Sequence, residues 1–122
     1  MGASKIMLSN RTEKKARDLK KIHTDLEIIA WGENIDFDMI INATSLGLKS
    51  DDQIKLDFSK VGSDKLFYDV IYNPTRTNFL LKGKELGSKV ENGKMMFIYQ
   101  AQLAFKIWHN ILPKIDNKLL DE

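Results

Sequence analysis

Apolar residues gather in short blocks along this chain, and the polar stretches between them carry apolar positions at steps of three and four. That is the pattern of strands alternating with helices. KIMLS (5–9), LEIIA (26–30), FDMIINA (37–43) and KLFYDVI (65–71) predict strands. The last two are near-continuous apolar runs, which suit burial on both faces of a sheet. After the first strand, Thr12 is placed to cap a helix running to about Lys21. TNFLLKGKELG (77–87) carries Phe79, Leu80 and Leu86 at helical spacing and stops at Gly87. SKVEN (88–92) predicts a short final strand. A long helix is expected from about Lys94 to Leu112, ending before Pro113, with a short terminal helix in IDNKLLDE (115–122).

Strands alternating with helices need crossover connections, so the fold class is α/β with a mostly parallel sheet and flanking helices. In such sheets ligands sit outside the carboxyl ends of the strands. Three successive strand ends here deliver small polar groups: Asn10-Arg11-Thr12, Asn42-Ala43-Thr44-Ser45 and Tyr72-Asn73-Pro74-Thr75. Their repetition predicts one binding crevice.

Composition narrows the chemistry. The chain has 122 residues, 43% hydrophobic and 30% charged, which is enough for a single core. No apolar run approaches the ~20 residues of a membrane span. With no cysteine, thiolate and disulfide chemistry are excluded, which fits a cytoplasmic protein. His23 and His109 stand far apart without ligand spacing, so no metal site is expected. A net charge of +2 makes no global field for a polyanion. The basic group Lys14, Lys15, Arg17, Lys20 and Lys21 reads as a solvated helix face, because it lacks the interleaved aromatics of a nucleic-acid module.

In dinucleotide-binding folds, the residue after the second strand selects the cofactor: an acid takes the ribose 2′-hydroxyl of NAD, an arginine the 2′-phosphate of NADP. No acid stands at Ser9 or Asn10, and Arg11 follows directly. A phosphate there would meet the free N–H groups and dipole of a helix N-terminus. A capped helix start beside a surface arginine would look the same. The glycine-rich turn that should precede such a strand is absent: no two of Gly2, Gly32, Gly47, Gly62, Gly83, Gly87 and Gly93 have G-x-G spacing. On the long helix Gln100 interrupts the apolar positions Met96, Leu103, Ile107 and Ile111. A buried, unpartnered amide costs about 1–3 kcal/mol, so a backbone carbonyl, a water or a ligand is expected to bond it.

Four segments then carry a resemblance. NRTEKKARDL, INATSLGL, YDVIYNPTRTNFL and NGKMMFIYQAQLAFKIW are similar, in order and spacing, to the motifs of shikimate dehydrogenases. They cover roughly residues 5 to 112. The resemblance implies a Rossmann-like domain of an NADP-dependent oxidoreductase that reduces 3-dehydroshikimate to shikimate in aromatic amino-acid synthesis. It implies that Asn10, Arg11 and Thr12 hold the adenosine 2′-phosphate, with Lys15 as supporting charge. It places Asn42, Ala43 and Thr44 beside the ribose and pyrophosphate, and Gly93 and Met96 beside the nicotinamide. It assigns Tyr72 and Gln100 to the substrate.

The resemblance also implies a partial domain. The family's catalytic lysine and aspartate belong to a preceding substrate domain, so no catalytic residue is assigned here, neither Lys5 nor Asp69. Residues 1–122 are expected to be an NADP-binding domain truncated before its first strand, with the helices from about 94 to 122 leaning on the substrate domain. The missing central strand would leave unpaired edges on KIMLS and FDMII, so a homo-oligomer or strand exchange is expected. The isolated chain is expected to be inactive. The alternative is a stand-alone nucleotide-sensing or protein-interaction module that retains a dinucleotide-fold remnant.

Overall fold

The computed structural model describes residues 2–33 and 35–121. Two compact units divide it: Met1–Asp36 with Lys55–Val61, and Phe37–Ile54 with Gly62–Glu122. In the first unit, strand β1 (Ile6–Leu8) leads through helix α1 (Glu13–Ile22) to strand β2 (Leu26–Ile28). The two strands pair in parallel with Ile6 opposite Leu26 and Leu8 opposite Ile28. Helix α1 buries Ala16 and leaves its other residues exposed, Leu19 and Ile22 among them. Its exposed face is laced by ion pairs from Glu13 to Arg17 and from Asp18 to Lys21, which are minor contributors at helical spacing.

The second unit holds strands β3 (Met39–Asn42), β4 (Leu66–Asp69) and β5 (Lys89–Glu91), helix α2 (Asn78–Glu85), helix α3 (Lys94–His109) and a short helix α4 (Asn117–Asp121). Its sheet has the order β3-β4-β5, all parallel. Both ends of α2 are built as its sequence requires. Thr77 caps the start by accepting from the Leu80 N–H. Gly87, at φ +77°, ends it with paired bonds from Gly87 N to Lys84 O and from Ser88 N to Gly83 O, the paired closure that favours glycine.

Side chains alternate across β4, so Phe67 and Asp69 share the face covered by α2 and both are fully buried. Phe67 meets the Phe79 ring at 5.2 Å and the Phe37 ring at 5.8 Å. The other face is open. Met39 and Ile41 of β3 are about half exposed, contrary to the expected burial on both faces, because only the α2 side of this sheet is covered.

The long helix also differs from expectation. It stops at His109, where Asn110 takes a left-handed conformation at φ 54° and donates to Lys106 O. Asparagine tolerates that conformation better than most residues, and Leu112 before Pro113 disfavours helix. The packed face of α3 runs through Ile98 and Gln102, whose Nε2 donates to Pro113 O at 2.7 Å. Met96, Gln100, Leu103, Ile107 and Ile111 lie on exposed positions instead. The expectation of a buried Gln100 amide is therefore corrected: its side chain stands exposed on α3. The helix is apolar on several sides, so spacing alone could not choose its buried face. The two sheets are separate ladders, with β1 and β3 both edge strands. No helix among the described residues is long and apolar enough to cross a membrane.

Candidate functional site

Each predicted strand end falls at the carboxyl end of a real strand. In the first unit, Ser9 Oγ donates to Ala30 O at 3.2 Å and Asn10 Nδ2 donates to Thr12 O at 2.8 Å. Asn10 thereby shapes the turn. Thr12 occupies the N-cap of α1, but its hydroxyl makes no capping bond, a correction to its expected role. The one acid of the first turn, Glu13, is engaged by Arg17. Arg11, Lys14 and Lys15 are exposed and make no ion pair among the described residues. The start of α1 thus presents a free hydroxyl and three uncompensated cations, beside helix N–H groups without intrahelical partners. That donor set fits a phosphate ester.

In the second unit the turn after β3 is held from within. Asn42 is almost fully buried, and all of its side-chain bonding capacity is used. Its Nδ2 donates to Leu46 O at 2.9 Å and to Asp69 Oδ1 at 3.1 Å. Its Oδ1 accepts from Thr44 N at 3.0 Å and from Thr44 Oγ1 at 2.7 Å. Thr44 Oγ1 in turn accepts from Leu46 N at 3.1 Å. Asn42 is thus a turn-former, leaving exposed Ala43 and half-buried Thr44 to face outward.

Asp69 ends β4 directly opposite Asn42 in the parallel register. Its Oδ1 also accepts from Ile71 N at 3.0 Å, and its Oδ2 accepts from Thr77 Oγ1 at 2.6 Å. Past Asp69, Tyr72 stands partly exposed and stacks on Phe97 of α3 with ring centroids 4.6 Å apart. The tyrosine hydroxyl makes no hydrogen bond among the described residues.

Gly93 sits at the N-cap of α3, hard against the end of β4. Its N–H donates to Ile71 O at 3.1 Å, and a Cβ there would lie 1.9 Å from Val70 O. Met96 and Gln100 follow on the exposed side of α3. The structure therefore joins the Asn42–Ser45 turn, the Tyr72 segment and the start of α3 around the end of β4. Two contributors were given no site role from the sequence: Asp69, declined there as a catalytic group, and Phe97. The available signal was a lone carboxylate closing an apolar strand, but only strand register shows which asparagine it meets.

The shikimate dehydrogenase (NADP(+)) of Pelagibacter ubique is 61% identical over 117 residues, which are 96% of this chain and 44% of that relative. Among solved structures, shikimate dehydrogenase from Aquifex aeolicus matches with a TM-score of 0.81 and 32% identity, over 96% of this chain and 43% of that one. A shikimate dehydrogenase crystallised in complex with NADP+ matches with a TM-score of 0.78 and 30% identity, over 96% and 46% of the two chains. No protein-family model matches. The chain spans under half the length of these relatives, roughly their C-terminal half.

Proposed function

Because this chain belongs to the shikimate dehydrogenase family and spans a little under half the length of its relatives, we propose that it is the NADP-binding part of an enzyme that reduces 3-dehydroshikimate to shikimate with NADPH. The observation that carries this is Arg11 just past the end of β1, where Glu13, the acid of the first turn of α1, is already engaged by Arg17. Arg11, Thr12 and Lys15 take the adenosine 2′-phosphate, and Asn10 holds their turn. Ala43 and Thr44, in the turn that Asn42 shapes, pass beside the ribose and pyrophosphate. NADPH supplies the hydride when bound. Gly93 and Met96 border the nicotinamide, while Tyr72 and Gln100 offer a free phenol and an exposed amide to the substrate.

The domain assignment belongs to the same proposal. Ile107, Trp108 and Ile111, near the end of α3 and just beyond it, are 80%, 76% and 62% exposed, an apolar surface suited to docking on the substrate-binding half of the enzyme. With that half come the catalytic groups, so the chain alone turns over no substrate. Studied by itself, it has free edges on β1 and β3 through which copies associate.

The test is an amide-shift titration with NADP and, in parallel, NAD. Shifts at Arg11, Thr12 and the Asn42–Ser45 turn with NADP only are expected. Equal shifts with NAD would defeat the 2′-phosphate assignment, and no shift with either would defeat cofactor binding by this chain. Adding the N-terminal half of the Pelagibacter ubique enzyme is expected to restore NADPH oxidation by 3-dehydroshikimate. NADP binding without any such gain would favour a nucleotide-sensing module.

A further inference from the structure

We propose that Asp69 is a positioning residue, the one side chain that sets both the cofactor-side turn after β3 and the substrate-side segment after β4. What those segments bind rests on the function proposed above, and how they are held rests on geometry.

A carboxylate only accepts hydrogen bonds. Asp69 Oδ1 lies 3.1 Å from Asn42 Nδ2, so a flipped Asn42 would turn its own carbonyl oxygen against a charged oxygen. Asp69 thus acts with Leu46 O, on the same amide nitrogen, and the Thr44 N–H, on the amide oxygen, to fix which end of the Asn42 amide faces it. With Nδ2 turned to Asp69 and Leu46 O, Oδ1 faces Thr44, where it accepts from both the backbone N–H and the hydroxyl. The Thr44 hydroxyl proton is thereby committed, leaving its oxygen to accept from Leu46 N. The bonds of the turn are mutually consistent, and Asp69 supplies the one that ties the turn to β4.

The same carboxylate works on the other side. Its acceptance of the Ile71 N–H, at 3.0 Å, bends the chain directly ahead of Tyr72. Ile71 O in turn receives the Gly93 N–H, so the start of α3, and with it Phe97 beneath the Tyr72 ring, is placed from the same point. Through Oδ2 it takes the Thr77 hydroxyl proton at 2.6 Å, leaving the Thr77 oxygen to cap α2 at Leu80 N. Asp69 is 0% exposed, so water cannot replace any of these bonds without opening the unit.

Asp69→Asn separates orientation from mere filling of space. Its carbonyl can keep the bonds to Asn42 Nδ2 and Ile71 N, while its amide reverses only the bond to Thr77. Asp69→Ala keeps none. Thr77→Val removes the α2 cap and leaves the Asn42 contact in place. The readout is hydrogen exchange at the Thr44 and Leu46 amides of the free protein, with the β4–β5 ladder amides as reference.

Asp69→Ala is expected to speed exchange at Thr44 and Leu46 at least tenfold over the reference, with Asp69→Asn within about threefold of wild type. Thr77→Val is expected to move Leu80 and spare Thr44. Should Asp69→Ala fail to fold, Asp69→Asn and Thr77→Val carry the test. The proposal is overturned if the Thr44 and Leu46 amides stay protected in a folded Asp69→Ala, if Asp69→Asn opens the turn, or if Thr77→Val opens it as readily. Because exchange is read without ligand, absence of NADP binding by the wild-type chain would defeat the functional reading and leave this result standing.

Discussion

Replacing Gly93 by alanine adds one methyl group where the structure has no room for it. The new Cβ would lie 1.9 Å from Val70 O, 2.5 Å from Val70 C and 3.1 Å from Val70 Cα. All three are backbone atoms, so no side-chain rotation relieves the contact. The start of α3 and the end of β4 must separate by about 1.5 Å to reach ordinary contact, which breaks the bond from Gly93 N to Ile71 O. Overpacking costs about 1–3 kcal/mol and the lost bond about 1 kcal/mol. Against this, alanine stiffens the unfolded chain, which returns about 0.4–1 kcal/mol. The glycine has φ −76° and ψ 3°, so alanine suffers no backbone strain of its own, and space alone decides the sign.

A net loss of about 2–3 kcal/mol is expected for Gly93→Ala, measured by urea unfolding followed by circular dichroism. The Tyr72 and Phe97 ring resonances should shift as their stack is disturbed. A change in stability within about 0.5 kcal/mol, the range of an uninvolved surface site, would refute the argument. The outcome also separates two roles for this glycine. If it serves only to admit a nicotinamide, alanine weakens NADP binding and leaves the unfolding curve where it was.

Gly83→Ala sets two known effects against each other: alanine inside a helix gains about 1 kcal/mol, but its Cβ would stand 2.5 Å from Phe67 Cγ in the buried ring cluster. Overpacking at about 1–3 kcal/mol is expected to win, so the melting temperature falls, and pairing the change with Phe67→Leu should recover part of the loss. A rise in melting temperature on Gly83→Ala would show the core yielding more readily than its packing implies. In the turn after β3, Asp52 Oδ2 accepts from Gly47 N and Lys49 N, both at 3.1 Å, and these bonds hold its carboxyl below the ordinary 3.8. Its stabilising contribution is complete above that value and is lost as pH falls through the lowered one. The Gly47 and Lys49 amide shifts are expected to titrate together below pH 3.8, and not at all in Asp52→Asn.

Much of this molecule was legible in the order of its residues. Strand and helix order follow from local periodicity and from punctuation such as Thr77, Gly87 and Pro113, because backbone conformation responds to near neighbours. Arg11 and the ordered motifs pointed to an NADP-linked dehydrogenase, since the residue types at a strand end set what charge it can bind. Tertiary structure alone decided the rest. Which side of α3 is buried depends on what packs there, and an apolar helix does not announce it. Asn42 reads as a ligand contact until the register of β3 on β4 brings Asp69 to it and its bonding capacity is exhausted. Gly93 reads only as room for a cofactor along the chain, and the fold adds a packing reason, since a Cβ there would lie 1.9 Å from Val70 O. Local chemistry is written along the chain. The partner of a buried polar group is chosen by residues distant in sequence, and only folding brings them within hydrogen-bonding reach.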